Sequence, residues 1–499
     1  MTPPDSDDDQ KVTTSGKDVI AISQSSPDTP LASPADWHIT DERRVRRKID
    51  ASVLPLLFLG LFVFQLDRMN LASALTAGFA ADVGIDQDTI NLGNQLMYMG
   101  NVVLEIPSNM LLQRLGPRKW ISGQIVMFGT TACLQVFVTN RTGFIATRLM
   151  LGLTEAGYIP GAIYTLSTWY TKTELAKRVA FFFFGMFGGN AMSPLLAAAI
   201  LQLEGAQGLR GWQWLFLVEG MFTICVAIAL FLLLPGSPDH PRPLGCAGVV
   251  RFSARDQAIL QNRVEADDSE RKPGAQGMRI PWNVVIRTVC HYRRWLHFAS
   301  SFCVFSTWSP LTTYTPSIIM SLGFPRIQAN ALAAVGASLA LVVIFVFAWI
   351  SDRTQQRGLT VIAGQFSYLI VLIVARFVHP HAGRWSRWGL WTAMNSFAVG
   401  YHPAHNTWLQ LNCKDPRERS ISIAMWCMSS ISGMMVGARY FRAEDGPFYS
   451  QGLQIMIVMV SVGMVLAVGQ MAVYIVHNRR MAQKMAIGDD GTAPMIYRP

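Results

Sequence analysis

Apolar segments of about 20 residues recur along most of the chain, and no other feature so limits the folds open to it. Such segments match the hydrocarbon thickness of a bilayer. There every backbone N–H and C=O must be satisfied internally, which favours helices. Twelve spans are predicted, at about 51–79, 88–112, 119–139, 143–169, 177–203, 212–234, 292–320, 327–350, 359–378, 387–411, 419–440 and 451–477. The expected fold is therefore all-α and membrane-embedded, with twelve transmembrane helices in two six-helix halves. Composition agrees: 51% of residues are hydrophobic and 15% charged, against about 25% charged in soluble proteins. The net charge of +10 does not indicate nucleic-acid binding, because the basic residues lie between spans and not on one patch. The seven cysteines are scattered without metal-ligand spacing and read as small packing residues.

The loop charges orient these spans. Arg43-Arg44-Val45-Arg46-Arg47-Lys48 abuts the first span, and the loops after alternate spans carry Arg114, Arg118 and Lys119; Lys172, Lys177 and Arg178; Arg353 and Arg357; and Lys414, Arg417 and Arg419. The first outer loop holds Asp82, Asp86 and Asp88 and no basic residue. Positive residues mark the cytoplasmic side, so both termini are expected inside. The predicted organisation is a disordered tail over 1–40, a first half over 41–234, a cytoplasmic linker over 235–291, a second half over 292–478 and a tail over 479–499. Within the linker, Ser253 reads as the N-cap of a surface helix running to Val264. Asn140-Arg141-Thr142 is a glycosylation sequon in a very short loop. Trp385, Trp388 and Trp391 read as outer interface anchors.

Charges inside the spans narrow the function. Leu66-Asp67-Arg68-Met69-Asn70 places a carboxylate and a guanidinium in what should be hydrocarbon, at roughly 2.5–3.5 kcal/mol for each charge. The fourth span carries Arg148 and Glu155. Seven residues apart on a helix, these differ by about 20° in direction and roughly 10.5 Å in height, so they share a face. Cross-helix pairing of Asp67 with Arg148, and of Arg68 with Glu155 or substrate, is expected. Two acids and two bases are neutral when empty. Protonating Asp67 or Glu155 leaves a positive set that an anion neutralises, so proton and anion each favour the other's binding. A permanent salt-bridge network that only orients helices is the structural alternative, although buried ion pairs stabilise weakly.

The second half offers polar but uncharged groups. Its first span carries serines, threonines and Tyr314, and its fourth carries Tyr401, His402, His405, Asn406 and Trp408. Tyr314, His405 and Asn406 are candidate substrate contacts, though local hydrogen bonding explains His402 and His405 equally well. Glu105, low in the second span, is expected to close a cytoplasmic gate with a loop arginine or to serve packing, not to touch substrate. Arg114, Arg118, Asp352 and Arg353, in matching turns of the two halves, form a candidate charge latch or simply reflect topology.

The loop motif Leu112-Gln113-Arg114-Leu115-Gly116-Pro117-Arg118-Lys119 and its counterpart Ile350-Ser351-Asp352-Arg353 resemble the major facilitator superfamily. With Leu66 to Asn70, Glu105 to Asn109, Arg148 to Gly161, Ser317 to Phe324 and Trp349 to Arg353, the chain resembles its anion:cation symporters, of the fungal allantoate and nicotinate permease type. The first loop copy has Gln113 where an acid usually stands, Leu244 to Val250 looks inserted, and the eleventh span has Cys427 to Ser430 where an asparagine is common. The resemblance implies substrate contact by Arg68, protons on Asp67 and Glu155, and tuning by Arg148. The expectation is a non-enzymatic, cofactor-free secondary transporter, coupling protons to a small organic anion by alternating access. It should act as a monomer in the plasma membrane, with no nucleic-acid partner. Export of a secondary metabolite and a non-transporting sensor are the competing readings.

Overall fold

The computed structural model describes residues 39–238, 241, 243–244, 252–267, 282–413, 416–486 and 496–499. Nearly all of the predicted disordered tail, nearly all of the inserted stretch, Lys414 and linker residues 268–281 lie outside them. Among the described residues the chain builds helices and no strand. In order they are α1 (Ile39–Ser52), α2 (Leu54–Thr76), α3 (Phe79–Val83), α4 (Gln87–Leu115), α5 (Pro117–Leu134), α6 (Arg141–Glu155), α7 (Tyr158–Trp169), α8 (Lys172–Ile200) and α9 (Gly211–Leu233). The linker supplies α10 (Ala254–Asp267) and α11 (Trp282–Val289). Then come α12 (Trp295–Ser306), α13 (Trp308–Ser321), α14 (Arg326–Thr354), α15 (Arg357–Val378), α16 (Arg384–Phe397), α17 (His402–Leu411), α18 (Pro416–Gly437) and α19 (Ser450–Ala486).

Local chemistry sets these boundaries. The Asp86 side chain caps α4 by accepting from the Thr89 N–H at 2.9 Å, and Asn140 caps α6 by accepting from Gly143 at 2.8 Å. The sequon asparagine is thus a cap in its short loop. Ser253 accepts from the Asp256 N–H at 3.1 Å, as its predicted capping role requires, and the helix runs on to Asp267. Among the described residues, seven helices are long and apolar enough to cross a membrane by length and composition alone. The others are shorter or more polar, and three spans are each broken in two, as α6/α7, α12/α13 and α16/α17. Counting each broken pair as one crossing, the helices are consistent with the predicted twelve.

Within the first half α2 packs on α8 and α9, α4 on α6, and α5 on α9; in the second, α12 packs on α18 and α19, and α15 on α19. The halves meet along α2 with α13, α4 with α18, and α8 with α14. Large apolar side chains such as Phe345 and Val465 point outward and are exposed, as a lipid-facing surface requires. Trp385 is exposed, as a membrane-interface anchor would be, but Trp391 is fully buried and donates to His379 at 2.8 Å, so it is a core residue and not an interface anchor.

Among the described residues, the hydrogen bonds that cross between halves gather toward the end where α4 begins, opposite the basic loops. Gln87 and Asn91 donate to the Phe441 carbonyl at 3.1 and 3.0 Å. Asn330 donates to Thr76 at 2.8 Å, and Arg326 pairs with Glu204 at 2.9 Å. This end is therefore closed. At the basic end, α10 is strapped to the first half. Arg44 and Lys48 of α1 reach the Asp256 carboxylate at 2.8 and 2.6 Å, and Arg263 reaches Glu174 of α8 at 3.2 Å. Burial opposes ionisation of Asp256, but Lys48, the Ser253 N–H and Arg44 outweigh it and hold the carboxyl well below the usual carboxylate range.

Candidate functional site

The fourth span breaks where Glu155 ends α6. Ala156 leaves the helix, and Gly157 turns with φ of 77° before α7 starts. A Cβ on Gly157 would sit 2.7 Å from Ser108 Oγ and 3.0 Å from the Glu105 carbonyl, so this left-handed turn against α4 requires glycine. The freed backbone does not go unpaired, because Gln124 of α5 donates to the Ala156 carbonyl at 2.7 Å. Irregular backbone at membrane depth is tolerated where protein buries it or where it lines a cavity. The break thus holds a carboxylate at a fixed point facing α2.

Arg68 of α2 meets that carboxylate: its Nε lies 2.6 Å from Glu155 Oε2, and its guanidinium lies 4.3 Å from the Phe64 ring centroid. This is one of the two expected cross-helix pairs. The other does not form. Arg148 is buried and donates from Nη2 to Asn94 Oδ1 of α4, while Asn94 donates to Thr313 of the second half at 3.2 Å. Arg148 Nε and Nη1 have no hydrogen-bond partner. Asp67 instead points to α9, where the Thr223 hydroxyl donates to its Oδ1 at 3.4 Å. Successive residues on a helix diverge by about 100°. Once Arg68 faces α6, Asp67 must face elsewhere.

Arg68 and Arg148 both line a cavity of about 60 Å³ between the halves. Gln65, Asn94 and Tyr98 join them from the first half. Phe305, Trp308, Thr313, His402, Trp426 and Ser430 close it from the second. The first half contributes the charge and the second contributes rings and hydroxyls, so a ligand here would meet two guanidiniums on one wall and a neutral surface on the other.

The remaining candidates divide. Tyr314 does not line this cavity; its hydroxyl donates to Asn91, in the closed outer end. His405 is fully buried inside the second half, where its Nε2 lies 3.0 Å from His297 Nδ1; local bonding, not ligand contact, is its observed role. Asn406 and His402 border a second cavity of about 170 Å³ between α8, α14 and α17. Glu105 does not reach a loop arginine. It is buried, its carboxyl oxygens have no hydrogen-bond partner, and it lies in the field of Arg68. Asp352 pairs with Arg357 of its own turn, not with the first half, and Arg114 and Arg353 are exposed. The Arg118 side chain is half-buried.

Sequence reasoning missed Glu219 of α9. It is 2% exposed, neither carboxyl oxygen has a hydrogen-bond partner, and it acts electrostatically on Asp67. The signal was present, since Leu217-Val218-Glu219-Gly220-Met221 is a lone carboxylate in an apolar run. The buried set is therefore Asp67, Glu105, Glu155 and Glu219 with Arg68 and Arg148. It carries more acid than base and is not neutral when every group is ionised.

Comparison with known proteins places this geometry. A family model described as Major Facilitator Superfamily matches residues 57–438. An uncharacterised transporter of Saccharomyces cerevisiae is 26% identical over 452 residues, covering 90% of this chain and 83% of the yeast protein. A protein of Agrobacterium vitis provisionally named a tartrate transporter is 27% identical over 377 residues, covering 72% of this chain and 79% of its own. Among solved structures, a D-xylose-proton symporter superposes with a TM-score of 0.61 at 13% identity, covering 84% of this chain and 96% of the symporter. A bacterial homologue of the human lysosomal transporter Spinster, inward-facing and unoccupied, gives 0.61 at 16% identity, with the same coverages. At such identities the structural likeness speaks for the fold.

Proposed function

The chain belongs to the major facilitator superfamily, and from that premise we propose that it couples protons to the movement of a small organic anion by alternating access. The observation that carries this reading is Arg148: a fully buried guanidinium on the cavity wall, with two nitrogens unpartnered and only a neutral amide on the third. A buried charge without a directly bonded counter-ion is costly, and a carboxylate entering the cavity would supply one as a bidentate partner. Arg68 would be its second anchor. To bind there the anion must compete with Glu155 for Arg68, and protonating Glu155 releases the guanidinium. Proton and anion then bind cooperatively through one side chain, because each lowers the cost of the other.

Asp67 lies outside this exchange and takes its proton on the α9 side. Tartrate, the substrate in the name of the Agrobacterium relative, is the natural first probe. On this reading the protein sits in the plasma membrane as a monomer, with the strapped end and both termini cytoplasmic.

The test is uptake into proteoliposomes of tartrate, a monocarboxylate and a neutral sugar, with and without a protonophore. Inward proton-driven accumulation of an anion, collapsed by the protonophore, is expected. Glu155→Gln should abolish accumulation and preserve counterflow, and Arg68→Ala should abolish both. A neutral solute carried equally well by wild type and Arg68→Ala would overturn the reading.

A further inference from the structure

The face of α2 turned away from the cavity is as polar as the face turned toward it. Asp67 is 0% and Asn70 0% exposed, and three residues apart they lie on one side of α2. Opposite them on α9 stand Glu219 and Thr223, four apart and likewise on one side. Thr223 donates to Asp67, and the two helices run antiparallel, which sets Glu219 beside Asn70. Four buried polar side chains thus form a closed box.

The box is short of hydrogens and of positive charge. Asp67 Oδ2, both Glu219 oxygens and both polar atoms of Asn70 have no hydrogen-bond partner. The charged groups acting on Asp67 are Glu219 and Glu155, both acidic, and the polar side chain beside Glu219 is the Asn70 amide. From α5 the titratable group facing Asp67 is Cys133, a neutral thiol. Arg68 is engaged with Glu155 on the other side of α2. Two carboxylates this deep, without a cation, cannot both be ionised, because desolvation and mutual repulsion act together.

We infer that Asp67 and Glu219 form a second proton-binding site, two coupled buried carboxyls between α2 and α9, at least one of them protonated, outside the substrate cavity. Loss of that proton leaves two like charges across the helix contact. Asn70, with a donor and an acceptor both unpartnered, is placed to follow the exchange. Glu219 therefore acts through Asp67 as a positioning residue for its proton. The α2–α9 contact also becomes sensitive to protonation, since both charges sit on its two faces.

This inference rests on the proton-coupled reading for its meaning in transport, but its test needs no substrate. Purified protein in detergent is titrated in sodium-free buffer, and the infrared carbonyl stretch of protonated buried carboxyls is followed. Wild type should show a carboxyl that stays protonated to a higher pH than in Glu219→Gln or Asp67→Asn. Each single variant should lower the midpoint by about one pH unit or more, the coupling that defines an interacting pair. Glu155→Gln, which removes the weaker of the two acidic neighbours, should keep that component and shift its midpoint less than Glu219→Gln does.

Equal midpoints in wild type and both single variants would overturn the pair. So would displacement of the proton by added sodium at constant pH, which would make the box a metal-cation site. Normal titration of the pair with no proton-driven anion uptake would count against the function and leave this site standing.

Discussion

Arg148 shows how much depends on one guanidinium. Lysine keeps the charge but lacks the planar fork that serves Asn94 and a carboxylate together. Arg148→Lys should therefore weaken anion binding by about 1.5–3 kcal/mol, the worth of a hydrogen bond to a charged group, while leaving the fold intact. Isothermal titration with tartrate would read this as a Kd raised roughly tenfold or more. Gly157 carries a structural prediction. A methyl there meets Ser108 and forces a left-handed backbone on alanine, so Gly157→Ala should destabilise by about 1–3 kcal/mol and lower the melting temperature in detergent.

Individual charges were legible at this scale because hydrocarbon makes each of them conspicuous. Glu219 carried the same signal as Asp67. Their partners were not legible: whether Asp67 meets Arg148 or Glu219 depends on how α2 is rotated, and its own sequence does not state that.

At the level of elements, α10 and the broken spans differ in what their sequences reveal. The cap and the polar face of α10 are local, and they were readable. Its docking is not local, because Asp256 is held by Arg44 and Lys48 some two hundred positions away in the chain. Removing that carboxylate leaves two cations without their shared anion, so Asp256→Asn should weaken the docking of α10 by about 1–3 kcal/mol. Faster proteolysis of the linker would report it.

The pH dependence follows from the same group. Its folded-state pKa is depressed, so the stabilisation is fully present above the ordinary carboxylate value of about 3.9. It is lost as pH falls from there toward the depressed value. Neutral and mildly acidic pH should leave the strap closed, and Asp256→Asn should remove the acid-dependent step. The three breaks were not predicted, because the spans around Gly157, Thr307 and Gly400 read as continuous helices. Only the neighbours show why a break is tolerated; Gln124, on another helix, pairs the carbonyl that the turn at Ala156 leaves free.

For the whole molecule, the two halves are pinned at the end opposite the basic loops and meet around a cavity. Alternating access requires those outer bonds to open. The Thr76 and Asn330 side chains touch across the halves, so Thr76→Cys with Asn330→Cys should form an oxidised crosslink that stops transport. A reductant should restore it, and uptake assays before and after reduction check both arms. The outer bonds involve Tyr314, which the sequence suggested for the substrate. A tyrosine in a polar span fits either place, and only the approach of α4 to α13 assigns it to the closure.

By itself, the sequence determined the helical class, the two six-helix halves and the presence of charge where charge is expensive, and it set an expectation for the orientation of the spans. These follow from apolar length, loop charge and desolvation, which act along the chain and need no knowledge of neighbours. The tertiary structure decided which charges meet. It joined Arg68 to Glu155, left Arg148 open to the cavity, and set Asp67 against Glu219 on the far side of the same helix. It also drew Glu105 inward and put His405 in the bundle interior. Such pairings depend on helix rotation and on which helices touch. Those are settled by the packing of all the spans at once, and no single segment encodes them.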